Sequence, residues 1–115
     1  MKVRVRLDRF RGGVDVVVIL KCPDNRPPRG KYLVGRHSVD QRIIALVFDS
    51  EISFHPAIAK KYRLIPIGGG YFVVDHAEAA IHISGKSETY GAEPDRQLTS
   101  AALTAALPMY RTVID

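Results

Sequence analysis

Apolar and charged positions alternate with a period of two at the start of the chain. Residues 3–8 read V-R-V-R-L-D, and an apolar run follows at residues 14–20 after the turn-forming Arg11-Gly12-Gly13. A period of two places apolar side chains on one face of a strand and charged side chains on the other. The pattern therefore predicts a β-hairpin over residues 1–21.

The rest of the chain mixes short apolar runs with two helical patterns. Pro56 lies near a first helical position, with Asp49, Ser50 and Ser53 as possible caps before it. Leu98, Ala102 and Ala105 fall on one helical stripe that Pro108 ends. We predict further strands at 31–34, 42–48, 71–74, 80–84 and 111–114, a loop at 23–30, and helices at 55–62 and 95–107. Together these elements predict an α+β domain with two helices and a mixed sheet of five to six strands, which is fewer than the seven strand segments named.

Three consecutive glycines, Gly68 to Gly70, interrupt this pattern. Each glycine in a regular element costs roughly 0.5–1 kcal/mol relative to alanine, so three together need a structural reason. Either the chain turns sharply there or another group approaches its backbone closely. We favour a tight turn that brings strand backbone against His55.

Length and composition fit one globular domain covering residues 1–115. The chain is 46% hydrophobic and 25% charged, and no segment reaches the roughly 20 apolar residues that span a bilayer. Asp8 and Asp15 interrupt the N-terminal segment, which we interpret as a strand and not a signal peptide. Cys22 is the single cysteine and cannot form an internal disulfide. We therefore expect a reducing, cytoplasmic location.

The positive charge is concentrated in the first third of the chain. Ten Lys and Arg against three Asp give residues 1–36 a net charge of +7, which leaves −2 of the total +5 for the remainder. Such a basic segment attracts phosphates, nucleic acid or an acidic protein surface. The alternative interpretation is a solvated strand face that contributes only to solubility.

His55 is the most suggestive of the four histidines, because it stands at a strand-to-helix junction just ahead of Pro56. The N-terminus of a helix favours anions and a neutral imidazole, which can accept a proton or attack phosphorus. The alternative is a structural or merely exposed histidine. His37, His76 and His82 show no metal-binding spacing, so no metal site is predicted.

Gly85-Lys86-Ser87 follows a predicted strand. A Walker motif would need glycine in place of Ala80 and a helix after the serine, so this is not one. A strand that ends in glycine, lysine and hydroxyl residues still offers N–H groups and a cation to a phosphate. A polar hairpin tip is the alternative.

In order and local spacing, four motifs resemble the small phosphohistidine phosphatases of the Janus/Ocnus family. The motifs are F-H-P-A-I at 54–58, I-G-G-G at 67–70, I-H-I-S-G-K-S-E-T-Y-G at 81–91, and a helix followed by a strand at 98–113. The basic N-terminal hairpin has no counterpart in that family, and the first half of the chain aligns weakly.

The resemblance implies a phosphohistidine phosphatase-like fold and a hydrolase that removes phosphate from phosphohistidine in proteins without metal or cofactor. His55 falls on the family's catalytic histidine, as general base or as nucleophile. Ser87 matches the phosphate-binding serine, Thr89 a position whose backbone N–H contacts phosphate, and Lys31 the family's lysine. Gly70 falls within the family's glycine motif and is assigned to the phosphate site.

Two positions depart from the family pattern. Tyr71 stands where the family has an arginine that clamps phosphate, and Pro56 stands where it uses a backbone N–H. Lys86, beside Ser87, is a candidate to restore the missing charge. The alternative function is a non-catalytic module of the same fold that binds a phosphate-bearing or acidic partner. Nucleic-acid binding and membrane association are not expected.

Overall fold

A seven-stranded mixed β-sheet forms the centre of the molecule in the computed structural model, which describes residues 1–115. The strands lie in the order β1-β2-β4-β3-β5-β6-β7, with β2–β4 and β6–β7 parallel and the other pairs antiparallel. Along the chain the elements are β1 (Lys2–Arg9), α1 (Phe10–Gly13), β2 (Val14–Lys21), β3 (Arg29–His37), β4 (Ile43–Asp49), α2 (His55–Tyr62), β5 (Leu64–Asp75), β6 (Ala80–Ser84), α3 (Arg96–Ala106) and β7 (Arg111–Ile114).

The prediction of five to six strands and two helices is wrong, although the chain is a single α+β domain. The N-terminal hairpin joins the main sheet through the parallel β2–β4 pair, and β7 extends the opposite edge by pairing with β6. All seven strands therefore belong to one sheet. The additional helical segment is α1, in which Arg11 and Gly12 have φ values of 38° and 84°, so it forms the turn of the hairpin.

Each face of the sheet is covered by one helix. Tyr32 and Leu33 are both fully buried, and because neighbouring strand residues point to opposite faces they belong to two different hydrophobic clusters. The larger cluster lies under α3 and includes Phe48 and Phe72. The smaller one lies under α2. Its buried members are Leu33, Ala45, Val47, Ile58, Ala59 and Leu64.

The two longer helices form where the sequence predicts them, but their details differ. Asp95 caps α3 by accepting a hydrogen bond from the Leu98 N–H at 3.0 Å, and Leu98 itself is 37% exposed. Of the predicted stripe only Ala102 is buried, and the buried face of α3 consists of Thr99, Ala102, Leu103 and Ala106. The predicted caps of α2 are wrong, because its N-cap is Phe54, whose side chain makes no capping bond. None of the helices combines the length and the apolar composition that a membrane span requires.

The turn predicted at the three glycines is wrong, since β5 runs through them as one twelve-residue strand. A close approach of neighbouring backbone explains them instead. A Cβ on Gly69 would lie 2.1 Å from the Tyr32 carbonyl oxygen, and one on Gly70 would lie 2.5 Å from the Ser84 carbonyl oxygen. Only glycine lets β5 pack this closely against β3 on one side and β6 on the other.

A buried polar network connects α3 to the sheet beneath these glycines. The Glu93 carboxylate accepts hydrogen bonds from Tyr32 Oη at 3.1 Å, Arg96 Nη2 at 2.8 Å and Thr99 Oγ1 at 2.8 Å. Burial, and then the adjacent Glu93 carboxylate, raise the pKa of Tyr32, so its hydroxyl keeps the proton it donates. Glu93 is only 6% exposed, and the network satisfies its charge inside the protein.

Candidate functional site

His55 is the first residue of α2 and packs against β5 with only 3% of its surface exposed. Its Nε2 lies 3.0 Å from the carbonyl oxygen of Gly70. A carbonyl oxygen can only accept a hydrogen bond, so Nε2 carries the hydrogen of the neutral ring. The carbonyl group of Gly70 thus fixes both the orientation and the tautomer of the imidazole.

The other ring nitrogen of His55, Nδ1, makes no hydrogen bond to the protein. No buried side-chain nitrogen or oxygen in the molecule lacks a partner, so Nδ1 retains contact with solvent. In the tautomer set by Gly70, Nδ1 holds an unshared electron pair. It is therefore the atom of this residue that can accept a proton or attack an electrophile.

The environment of His55 lowers its pKa below the ordinary value of 6.5. Burial is the largest cause, because it disfavours the charged imidazolium. The positive charge of Lys31 acts in the same direction, whereas the backbone of Gly70, the backbone of Tyr32 and the Glu88 carboxylate oppose the shift. The imidazole is consequently neutral at pH 7, as a base or nucleophile must be.

Lys31 and Tyr71 complete the surroundings of the imidazole. They are register partners on β3 and β5, and Lys31 Nζ lies 5.8 Å from the centre of the Tyr71 ring and 5.5 Å from that of Phe54. The Tyr71 and His55 rings meet edge to face at 6.0 Å between centroids. Tyr71 fills the space that a Cβ at Gly85 would enter, since that atom would lie 2.7 Å from the ring.

The segment from Gly85 to Gly91 folds back onto the same part of β5. The Ser87 N–H donates to the Gly69 carbonyl at 3.0 Å, the Gly91 N–H to the Ser87 carbonyl at 2.9 Å, and the Gly69 N–H to the Gly91 carbonyl at 2.9 Å. His55 and Ser87 are therefore bonded to the neighbouring carbonyls of Gly70 and Gly69. The structure brings these sequence-distant residues to one place on the sheet.

Within this segment, the residues predicted to bind phosphate differ in how accessible they are. Ser87 is 2% exposed, and its Oγ accepts a hydrogen bond from the Tyr90 N–H at 3.1 Å. Lys86, Glu88 and Thr89 are exposed, and their backbone N–H groups make no hydrogen bond within the protein. The donors available to a ligand are thus those of residues 86, 88 and 89, while Ser87 mainly shapes the loop.

Gly70, Lys86 and the start of α2 are the remaining features predicted for the phosphate site. Gly70 offers its carbonyl oxygen to His55 and so acts as an acceptor at this site. Lys86 is exposed and is not among the charges that most affect the His55 pKa, a role that falls to Lys31. At the start of α2 the N–H groups of Ala57 and Ile58 both donate to the Phe54 carbonyl, at 3.1 and 3.2 Å.

The sequence interpretation misses a basic groove that begins at Lys31 and Tyr71. It has a volume of about 460 Å³, and Arg26 and Arg29 line it together with Lys31. The prediction that Arg29 belongs to a loop is wrong, because it opens β3 two residues before Lys31. Arg29 and Lys31 are two residues apart in the sequence R-G-K, and this spacing places both side chains on one face of a strand.

The other three histidines are engaged elsewhere. His82 Nδ1 lies 3.0 Å from Asp115 Oδ2, and His76 Nδ1 lies 2.8 Å from Tyr110 Oη. His37 Nδ1 accepts the Asp40 N–H at 3.0 Å. No group of three or more His, Cys, Asp or Glu side chains is arranged to hold a metal ion.

Comparison with known proteins adds no identification to this geometry. No protein-family model matches the chain, and no curated protein matches it.

The titration of His55 offers a direct check of this electrostatic arrangement. We expect its pKa, followed by imidazole NMR, to lie below 6.5, because burial disfavours the cation. Lys31→Met should raise this pKa while leaving it below 6.5, and Glu88→Gln should lower it further. Lys86→Met serves as the matched control and should change it little. Equal effects of the two lysine substitutions would contradict the assignment of Lys31 as the neighbouring cation.

Proposed function

We propose that this protein is a phosphatase that removes phosphate from phosphohistidine in other proteins. The observation that supports the proposal most strongly is the state of His55: its Nε2 is held by the Gly70 carbonyl, so the unshared electron pair of the neutral ring lies on Nδ1. A fixed, neutral imidazole beside a cation is suited to phosphoryl chemistry. The resemblance to the Janus/Ocnus family assigns the same residue.

Two routes are open to Nδ1 of His55. As a general base it takes a proton from water as the water oxygen attacks phosphorus. The N–P bond of the substrate then breaks, and its imidazole leaves with a proton. As a nucleophile Nδ1 attacks phosphorus itself, forming phospho-His55 and releasing the substrate imidazole, and water then hydrolyses the new N–P bond. In both routes His55 starts as a neutral imidazole.

The groups proposed to bind the phosphoryl oxygens belong to β3 and to the segment from Gly85 to Gly91. Lys31 contributes positive charge, and the N–H groups of Glu88 and Thr89 are unused by the protein. Tyr71 replaces the family's arginine, and a charge-assisted bond of that kind is worth about 1.5–3 kcal/mol. We therefore expect phosphate to bind weakly, with Lys31 carrying most of the electrostatic attraction.

The decisive experiment measures phosphate release from a histidine-phosphorylated protein. We expect His55→Ala to reduce kcat/KM by at least about a hundredfold, because it removes the proposed base or nucleophile. His76→Ala is the matched control, since His76 is exposed and bonds to Tyr110 away from this site. Equal rates for the His55→Ala variant and the unaltered protein would end the proposal. Trapping of phospho-His55 after acid-free quenching would select the nucleophilic route.

A second function, binding of a phosphate-bearing partner without turnover, is favoured by one observation. Pro56 has no N–H, and Ser87, which matches the family's phosphate-binding serine, is only 2% exposed, so two donors of the family pattern are not offered here. Such a module would bind a phosphohistidine protein in competition with free phosphate and release no phosphate. The same assay therefore separates the two functions.

A further inference from the structure

The basic groove defined by Arg26, Arg29 and Lys31 lies against the candidate site, and its two arginines have no part in the chemistry proposed at His55. Its polar lining also includes Ser50 and Ser53, and no Asp or Glu side chain lines it. An opening of about 460 Å³ is large enough for several side chains of a bound peptide, whereas a phosphoryl group alone needs far less space.

The cations of the groove have no carboxylate partners within the protein. None of Arg26, Arg29 and Lys31 takes part in an ion pair, whereas nearby Lys21 is paired with Glu51 at 3.4 Å. Three unpaired cations within one concave surface create a positive potential that a negatively charged ligand would relieve. The groove is therefore complementary to an acidic ligand.

The groove continues directly from His55 along strand β3. Lys31 pairs with Tyr71, whose ring contacts His55, and Arg29 pairs with Val73 two residues further along. Two residues of a strand span about 7 Å, which is also the distance between alternate side chains of an extended peptide. A peptide lying along the groove with one residue at Lys31 would present its second neighbour to Arg29.

We propose that the groove binds acidic side chains that flank the phosphohistidine of the substrate, starting two positions away from it. The inference rests on the proposed function and specifies its substrate class: an extended, acidic segment of a phosphorylated protein. Arg29 binds the nearer carboxylate and Arg26 a more distant one. Single-stranded nucleic acid is the competing ligand, because it stacks its bases on exposed aromatic rings and Phe54 beside Lys31 is 68% exposed. A protein segment is favoured because the substrate proposed for the adjacent site is a phosphorylated protein.

The test uses three otherwise identical peptides that carry a non-hydrolysable phosphonate-triazole analogue of phosphohistidine. The residues two to four positions from the analogue are Glu, Gln or Lys. We expect fluorescence anisotropy to give the tightest binding for Glu and the weakest for Lys. The double substitution Arg26→Gln and Arg29→Gln should weaken binding of the Glu peptide about three- to tenfold and leave the Gln peptide nearly unchanged.

The control is Arg111→Gln, which removes one positive charge from the exposed start of β7. It should leave the preference for Glu intact. Equal affinity for the three peptides, or a preference that survives the double substitution, would overturn the inference. An oligothymidylate of equal charge is also tested as a competitor of the bound Glu peptide. If it displaces that peptide as effectively as free Glu peptide does, the inference is overturned.

Turnover of a small substrate separates this inference from the proposed function. Phosphoimidazole has no flanking residues, so its hydrolysis tests only the chemistry at His55. If phosphoimidazole is hydrolysed but the three peptides bind equally well, the acidic-segment inference is wrong and the phosphatase proposal is retained. The reverse result, a Glu preference removed by the double substitution without any hydrolysis, would keep the groove and exclude the phosphatase.

Discussion

Gly69→Ala is expected to lower the free energy of unfolding by more than about 3 kcal/mol, a large part of the roughly 5–15 kcal/mol that stabilises an ordinary domain. A Cβ at this position would lie 2.1 Å from the carbonyl oxygen of Tyr32 and 3.1 Å from the Leu33 Cα. Both are backbone atoms of the paired strand, so no side-chain rotation can relieve the clash. β5 would have to move away from β3, breaking the most extensive strand pairing of the sheet.

Urea unfolding followed by circular dichroism measures this loss. Gly12→Ala is the matched control, because Gly12 has a φ of 84° but a Cβ added there would meet no neighbouring atom within 4 Å. That substitution carries only the left-handed backbone penalty of about 1–2 kcal/mol. Comparable losses for the two variants would mean that close strand contact is not the reason for glycine at position 69.

The same displacement should also reach the candidate site. Gly70 holds Nε2 of His55 through its carbonyl, and Gly69 receives the Ser87 N–H, so both halves of the site are anchored on adjacent residues of β5. Any folded fraction of Gly69→Ala is therefore expected to show a disturbed His55 imidazole resonance.

How far the sequence predicts this structure depends on the range of the interactions involved. The alternation in residues 3–8 and Pro108 after α3 are local signals, and the strand and helix they predict are present. Strand pairing is not local: nothing in the alternation states that β2 pairs parallel with β4 or that β7 joins β6. The predicted strand number is wrong for this reason.

The glycines illustrate a different limit. The entropic cost of three glycines correctly indicates a special backbone environment. A tight turn and a close approach of two strands both require glycine, so the sequence alone does not distinguish them. Only the position of the Tyr32 carbonyl decides between them. Likewise, the contact of Tyr71 with His55 and Lys31 emerges only from the pairing of β3 with β5.

Loss of the Glu93 carboxylate is the second large effect we expect. Glu93→Leu should lower the free energy of unfolding by about 3 kcal/mol, because Arg96, Thr99 and Tyr32 all direct donors at this carboxylate. The Arg96 side chain is only 18% exposed, so its charge would remain largely buried without a partner. Thermal and urea unfolding both report this loss.

A double substitution distinguishes the unpaired charge from the loss of packing. If the buried Arg96 charge is the main cost, then Glu93→Leu combined with Arg96→Met should recover at least about 1 kcal/mol of the stability lost in Glu93→Leu alone. Arg96→Met by itself should also destabilise, since it leaves the Glu93 carboxylate buried with fewer donors. Strictly additive losses in the two single variants and the double variant would contradict this account and would attribute the effect of Glu93→Leu to packing around α3.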